Sequence, residues 1–110
     1  AYHDYEGMST DTDERQRLAA SLGDKKVLIL RNHGILTGGA TVGEAFILMY
    51  YLERACRTQM QVLASGREFT MPADDVCEAV AKQYDIFPHG KYEWPALLRK
   101  LDQQDPGYKE

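Results

Sequence analysis

The sequence predicts an α/β fold of which only part is present, and three observations predict it. Val27-Leu28-Ile29-Leu30 is a short, continuous apolar run with β-branched residues, the mark of a strand buried on both faces. Arg31-Asn32-His33-Gly34 interrupts it, Ile35-Leu36-Thr37 resumes it and Gly38-Gly39 ends it, giving strand, tight turn, strand. After this hairpin Val42, Ala45, Phe46, Met49, Leu52, Cys56, Met60 and Leu63 recur at intervals of three and four, the spacing of one helix face. That helix should run to about Ala64 and stop at Gly66, a length of roughly 35 Å at the rise of an α-helix. A lone hairpin cannot cover a strand on both sides. A helix this long packs well only against a larger sheet, so sheet neighbours are expected outside the chain.

The remaining elements follow in order. Ala1 to Met8, aromatic and acidic, reads as a strand end running into a loop, punctuated by Gly7. Asp11 and Glu14 suit a cap and an acidic first turn. Leu18, Ala19 and Leu22 form one face of a first helix, which Gly23 stops. Thr41-Val42-Gly43-Glu44 has the form of a capping box and should start the long helix. Pro72 is expected to begin another helix, with Asp74 and Asp75 in its first turn and Val76, Ala79 and Val80 on one face. Phe87-Pro88-His89-Gly90 is a connector. Trp94, Leu97, Leu98 and Leu101 mark a short amphipathic helix with Pro95 in its first turn. Asp105-Pro106-Gly107 ends it.

Composition narrows the function classes. Hydrophobic residues at 44% and charged residues at 27% are those of a globular domain and argue against disorder. A net charge of −4 with scattered basic residues offers no footprint for a nucleic-acid backbone or an anionic membrane surface. No apolar run approaches the ~20 residues of a membrane span, and the first residues have no signal-peptide core. A cytoplasmic protein without nucleic-acid or membrane partners is the expectation. The first residue is not Met, so the chain is expected to begin inside a longer protein. Cys56 and Cys77 lie in helical patterns and are expected as small buried hydrophobes, since two cysteines are too few for a stapled scaffold.

Few residues can carry chemistry. His33 sits in an Asn-His-Gly turn directly after a buried strand, where Gly34 allows a strained backbone and close approach of another group. A neutral imidazole held so suits a transition metal, although a purely structural turn residue has the same sequence. His3 and His89 show no ligand spacing to His33 or to each other. His3 is expected as a polar residue near the sheet edge, and His89 as a solvated residue of its connector. Gly38-Gly39 is not a phosphate loop, because no Lys-Ser/Thr follows. Asp11, Asp13 and Glu14 are more simply a helix N-terminus than a metal site. Tyr50-Tyr51 lies mid-helix, with one ring expected in and one out. Arg54, Arg57 and Gln61 form a polar stripe able to line a subunit contact.

The segment from Val27 to Gly39, followed by Thr41-Val42-Gly43-Glu44-Ala45-Phe46, resembles the signature of the class II aldolase/adducin family. Tyr2-His3-Asp4-Tyr5-Glu6-Gly7, Leu52-Glu53-Arg54-Ala55-Cys56 and Glu93-Trp94-Pro95-Ala96-Leu97-Leu98-Arg99 are also similar to its members. The resemblance implies the C-terminal part of a three-layer α/β/α domain with a mostly antiparallel sheet, residues 1–110 being its back half. Enzymes of the family are zinc-type lyases and epimerases of sugar phosphates, whose metal polarises a carbonyl and stabilises an enediolate. By the resemblance, His33 matches the third of three metal-binding histidines. The other two form a His-x-His pair in the front half, which also carries a catalytic acid and most phosphate contacts. None of these lies in the 110 residues.

Two functions follow. The first is part of a metal-dependent aldolase-like lyase of small sugar-phosphate or hydroxy-carbonyl substrates, with zinc or another divalent metal in the full-length parent. The family commonly forms homotetramers, so a homo-oligomer is implied. The second is an adducin-like scaffold or cytoskeletal-binding head without catalysis. Alone, the chain is expected to hold zinc weakly, to carry no cofactor and to be inactive, since a catalytic zinc site needs three protein ligands. Its catalytic residues are not assignable from the sequence.

Overall fold

A computed structural model describes residues 1–7 and 13–109. The elements are β1 (Tyr2–His3), α1 (Glu14–Leu22), β2 (Val27–Leu30), β3 (Gly34–Thr37), α2 (Val42–Ala64), α3 (Asp74–Asp85) and α4 (Glu93–Gln104), with a short 3-10 turn at Pro106–Lys109. The α/β class and the order of elements are those the sequence predicts. Asp11, expected to cap α1, lies outside the described residues. Pro72 precedes α3 rather than opening it: the helix starts at Asp74 after an extended Ala73.

The sheet has the order β1-β2-β3, with β1 parallel and β3 antiparallel to β2. Its register pairs Tyr2 with Ile29 and Leu30 with Gly34. Alternation of side chains across the pleat gives Leu28 a covered face, and it is the best buried residue of the core, at 1% exposure. Val27, Ile29 and Leu30 are only half-buried. The expectation of a strand covered on both faces is therefore corrected for this chain: a three-stranded sheet lacks the layers to do it. α1 packs on β1 and β2, while α2 packs on β3 and on α4. Ile47 and Leu48, from the first turns of α2, complete the buried apolar core.

α2 starts as its capping box predicts. The Thr41 hydroxyl accepts from the Glu44 amide at 3.1 Å, and the Glu44 carboxylate reaches back to the Ala40 amide at 2.8 Å. No residue of the far half of α2 or of α3 is fully buried, and Cys56 is half-buried. Val76 and Val80 on the apolar face of α3 are exposed, as is Cys77, contrary to the buried thiol expected there. Tyr50 and Tyr51 are equally exposed and meet edge to face, rather than one in and one out. Arg54 lies over Tyr50, and Arg57 pairs with Glu53 one helical turn away.

Candidate functional site

The Arg31-Asn32-His33 turn is three residues long and is closed by the His33 amide donating to the Leu30 carbonyl at 3.0 Å. Asn32, not Gly34, takes the left-handed backbone, at φ 55°. Asn is among the few residues with a side chain that adopt that region readily. The strain expected at Gly34 is thus borne one position before His33. The imidazole of His33 is exposed and stacks on Tyr5, with ring centroids 5.9 Å apart and planes at 24°. The segment after β1 holds the turn in place. Arg31 donates its amide to the His3 carbonyl at 2.9 Å, pairs with the Asp4 carboxylate and lies over the Tyr2 ring.

His3 behaves differently from its expectation. It does lie on an edge strand, but at 8% exposure it is buried between sheet and α1. Its Nδ1 is 2.9 Å from the Ser21 hydroxyl, and its Nε2 lies 3.6 Å from Oε1 of Glu6. Glu6 in turn is gripped by Arg17, whose Nη2 and Nε reach Oε2 at 2.6 and 2.8 Å. Glu14, 9% exposed, turns inward from the first turn of α1. Side chains of His3, Glu6 and Glu14 bring one ligating atom each within 4.8 Å of the others, the one such group of three among the described residues. His33 belongs to no such group. From the sequence, Glu14 reads as a helix-terminal acid and His3 as a polar residue near the sheet edge. The signal available was the His-x-x-Glu spacing beside an acidic helix start, which gains meaning only once α1 is known to pack on β1.

His89 is also corrected, from a solvated connector residue to one 8% exposed. Its Nε2 lies 2.8 Å from the Tyr84 carbonyl, and its ring packs between Tyr84 and Phe87. Burial, then the neighbouring Tyr51 and Glu93, pushes the Tyr84 phenol above its ordinary range. This connector is a packing centre, with Gly90 set against the backbone of Gly43 and Glu44.

The three-stranded sheet, the His33 turn at its edge and the helices packed on it make an α/β domain, and comparisons with known proteins give its family. The family described as "Class II Aldolase and Adducin N-terminal domain" matches residues 1–60. An aldolase II superfamily protein from Pseudomonas syringae superposes over 100% of the chain and 45% of its own length, at TM-score 0.87 and 41% identity. A Caulobacter vibrioides protein named as aldolase class 2 is 45% identical, over 100% of this chain and 44% of its own. An adducin-related protein of Schizosaccharomyces pombe is 35% identical, over 98% of this chain and 36% of its own. The chain belongs to the class II aldolase/adducin family, and spans less than half the length of these relatives.

Proposed function

We propose that the chain is the back half of a class II aldolase-like domain and that His33 is its one contribution to a metal centre. The other ligands, a His-x-His pair, would come from a front half outside these 110 residues. The observation that carries the reading is the presentation of His33: an exposed imidazole on a short turn pinned by β1, within the residues the family description matches. One histidine cannot by itself make the three-ligand site of a catalytic zinc. The residues of this chain therefore fit such a metal only as part of a larger set.

In this reading the full-length protein is a lyase of small sugar-phosphate or hydroxy-carbonyl compounds. The metal, when bound, supplies the Lewis acidity that polarises a substrate carbonyl and stabilises enediolate charge. The work of this chain is positional. Tyr5 limits rotation of the imidazole, Asn32 absorbs the backbone turn, and Arg31 ties the turn to the β1 segment. The test is metal analysis and aldol-cleavage assay of the full-length protein with and without His33→Ala. We expect His33→Ala to hold about one zinc per subunit fewer than the natural protein and to lose the cleavage activity. Full metal content and turnover in His33→Ala would sink the assignment.

The adducin-related relative favours a second reading, a non-catalytic scaffold. Under it the exposed apolar residues of α2 and α3 form a protein-binding surface. A full-length protein with no cleavage activity and no metal that depends on His33 would support it.

A further inference from the structure

We propose that His3, Glu6 and Glu14 form a second divalent-cation site, of zinc-like preference, separate from the His33 turn. The case begins with His3. Its ring is more than nine-tenths buried, yet its Nε2 has no hydrogen-bond partner among the described residues. A buried polar atom without a partner costs about 1–3 kcal/mol, so an occupant that satisfies it is favoured. The Ser21 hydroxyl, 2.9 Å from Nδ1, can accept from it, which is the tautomer a metal-ligating imidazole needs. With Nδ1–H donated to Ser21 Oγ, Nε2 holds a lone pair in the group it forms with the Glu6 and Glu14 carboxylates. This is how metal-ligating histidines are commonly held: one ring nitrogen donates to a nearby oxygen and fixes the tautomer, and the other binds the ion.

The carboxylates complete the set. Nε2 and Glu6 Oε1 are 3.6 Å apart, too long for a hydrogen bond. It is close to the ~3.4 Å edge of a tetrahedron with zinc-to-nitrogen and zinc-to-oxygen bonds of about 2.0–2.1 Å. Arg17 holds Oε2 at 2.6 and 2.8 Å and Oε1 at 3.1 Å, and Oε1 is the oxygen that lies 3.6 Å from the imidazole. Glu14 supplies the third atom within 4.8 Å of both. Among the described residues two carboxylates, Glu6 and Glu14, meet one guanidinium, Arg17, a balance that favours a cation. One imidazole and two carboxylates leave a fourth position for water, the coordination a borderline cation accepts.

Bound there, the ion would tie the β1 segment, which steadies the His33 turn through Arg31 and Tyr5, to α1 on the other side. The test uses the 110-residue chain: zinc titration calorimetry, with cobalt(II) as a spectroscopic probe, checked for folding by circular dichroism. We expect one zinc per chain and the intense visible bands of tetrahedral cobalt. His3→Asn keeps a donor for Ser21 but removes Nε2, and should weaken zinc by 100-fold or more. Glu14→Gln, nearly isosteric, should weaken it at least 10-fold, and Ser21→Ala about 10-fold through the lost orienting bond. His33→Ala should leave the affinity unchanged. If His3→Asn does not fold, Glu14→Gln and the cobalt spectrum decide. A folded chain that takes up no zinc overturns the site. So does binding that is abolished by His33→Ala, or that is indifferent to both Glu14→Gln and His3→Asn.

Discussion

At the scale of single residues, the same side-chain type serves three ends in this chain, set by what surrounds it. His33 is exposed on a turn, His3 is buried against a hydroxyl and two acids, and His89 is buried among aromatic rings. Glu44 shows how one acid can serve both local and long-range structure. It closes the capping box on Ala40 and also meets the Lys26 ammonium at 3.0 Å. The hydrogen bond from Lys26, followed by that from the Ala40 amide, holds the Glu44 carboxyl below its usual range. A carboxyl whose pKa is depressed on folding favours the native state above its unfolded pKa, and the benefit is lost as pH falls through the folded value. Melting temperatures followed from about pH 6 to about pH 3 should therefore fall more steeply for the natural chain than for Glu44→Gln. Parallel curves would show that the pair with Lys26 contributes nothing, the common fate of exposed ion pairs.

At the scale of elements, the start of α2 is the joint of the molecule. Its capping box turns the chain out of β3, its first turns supply Ile47 and Leu48 to the core, and Gly43 admits the connector before α4. A methyl group on Gly43 would lie 2.8 Å from Trp94 Cβ, and one on Gly90 2.6 Å from the Glu44 amide nitrogen. Gly90 also has φ 80°, where L side chains are strained. Gly90→Ala should therefore lower stability by about 2–4 kcal/mol, overpacking and backbone strain acting together. Denaturant unfolding measures it. A loss below about 0.5 kcal/mol, that of an ordinary surface change, would mean that the connector is not seated on α2. By contrast α3 has no buried residue: among the described residues its contacts come from its C-terminal end, Tyr84 and Asp85, while Val76 and Val80 stay exposed.

At the scale of the whole molecule, the chain is too open for its length. Its radius of gyration is 17.0 Å, against about 13 Å for a compact domain of this size. Its accessible surface is 8994 Å², where a folded monomer of this mass exposes roughly 6,200 Å². The surplus includes Met60, Leu63, Phe69, Met71, Val76 and Val80. Surface of this kind is normally covered. It supports the proposal that partner layers lie in a front half outside the chain. Without those layers, the 110-residue chain is expected to self-associate. Sedimentation at micromolar concentration should show species above its 12.5 kDa mass. A monodisperse monomer would refute the expectation.

The elements were legible in the sequence because their causes are local. Apolar spacing, the Thr41–Glu44 box and the stop at Gly23 act within a few residues of chain, and each lies where it was read. Residues 27 to 46 also carried the family, since a turn of that composition between strand and capped helix is specific. The roles of His3, Glu14 and His89 were decided by tertiary structure alone. Burial of His3 requires α1 to pack across β1, eleven residues further along the chain, and burial of His89 requires Gly90 to dock on Gly43, some fifty residues away. A sequence sets which side chains are available and which face of an element they share. Which titratable groups lose their water and meet one another depends on contacts between distant elements, and no local pattern encodes those distances.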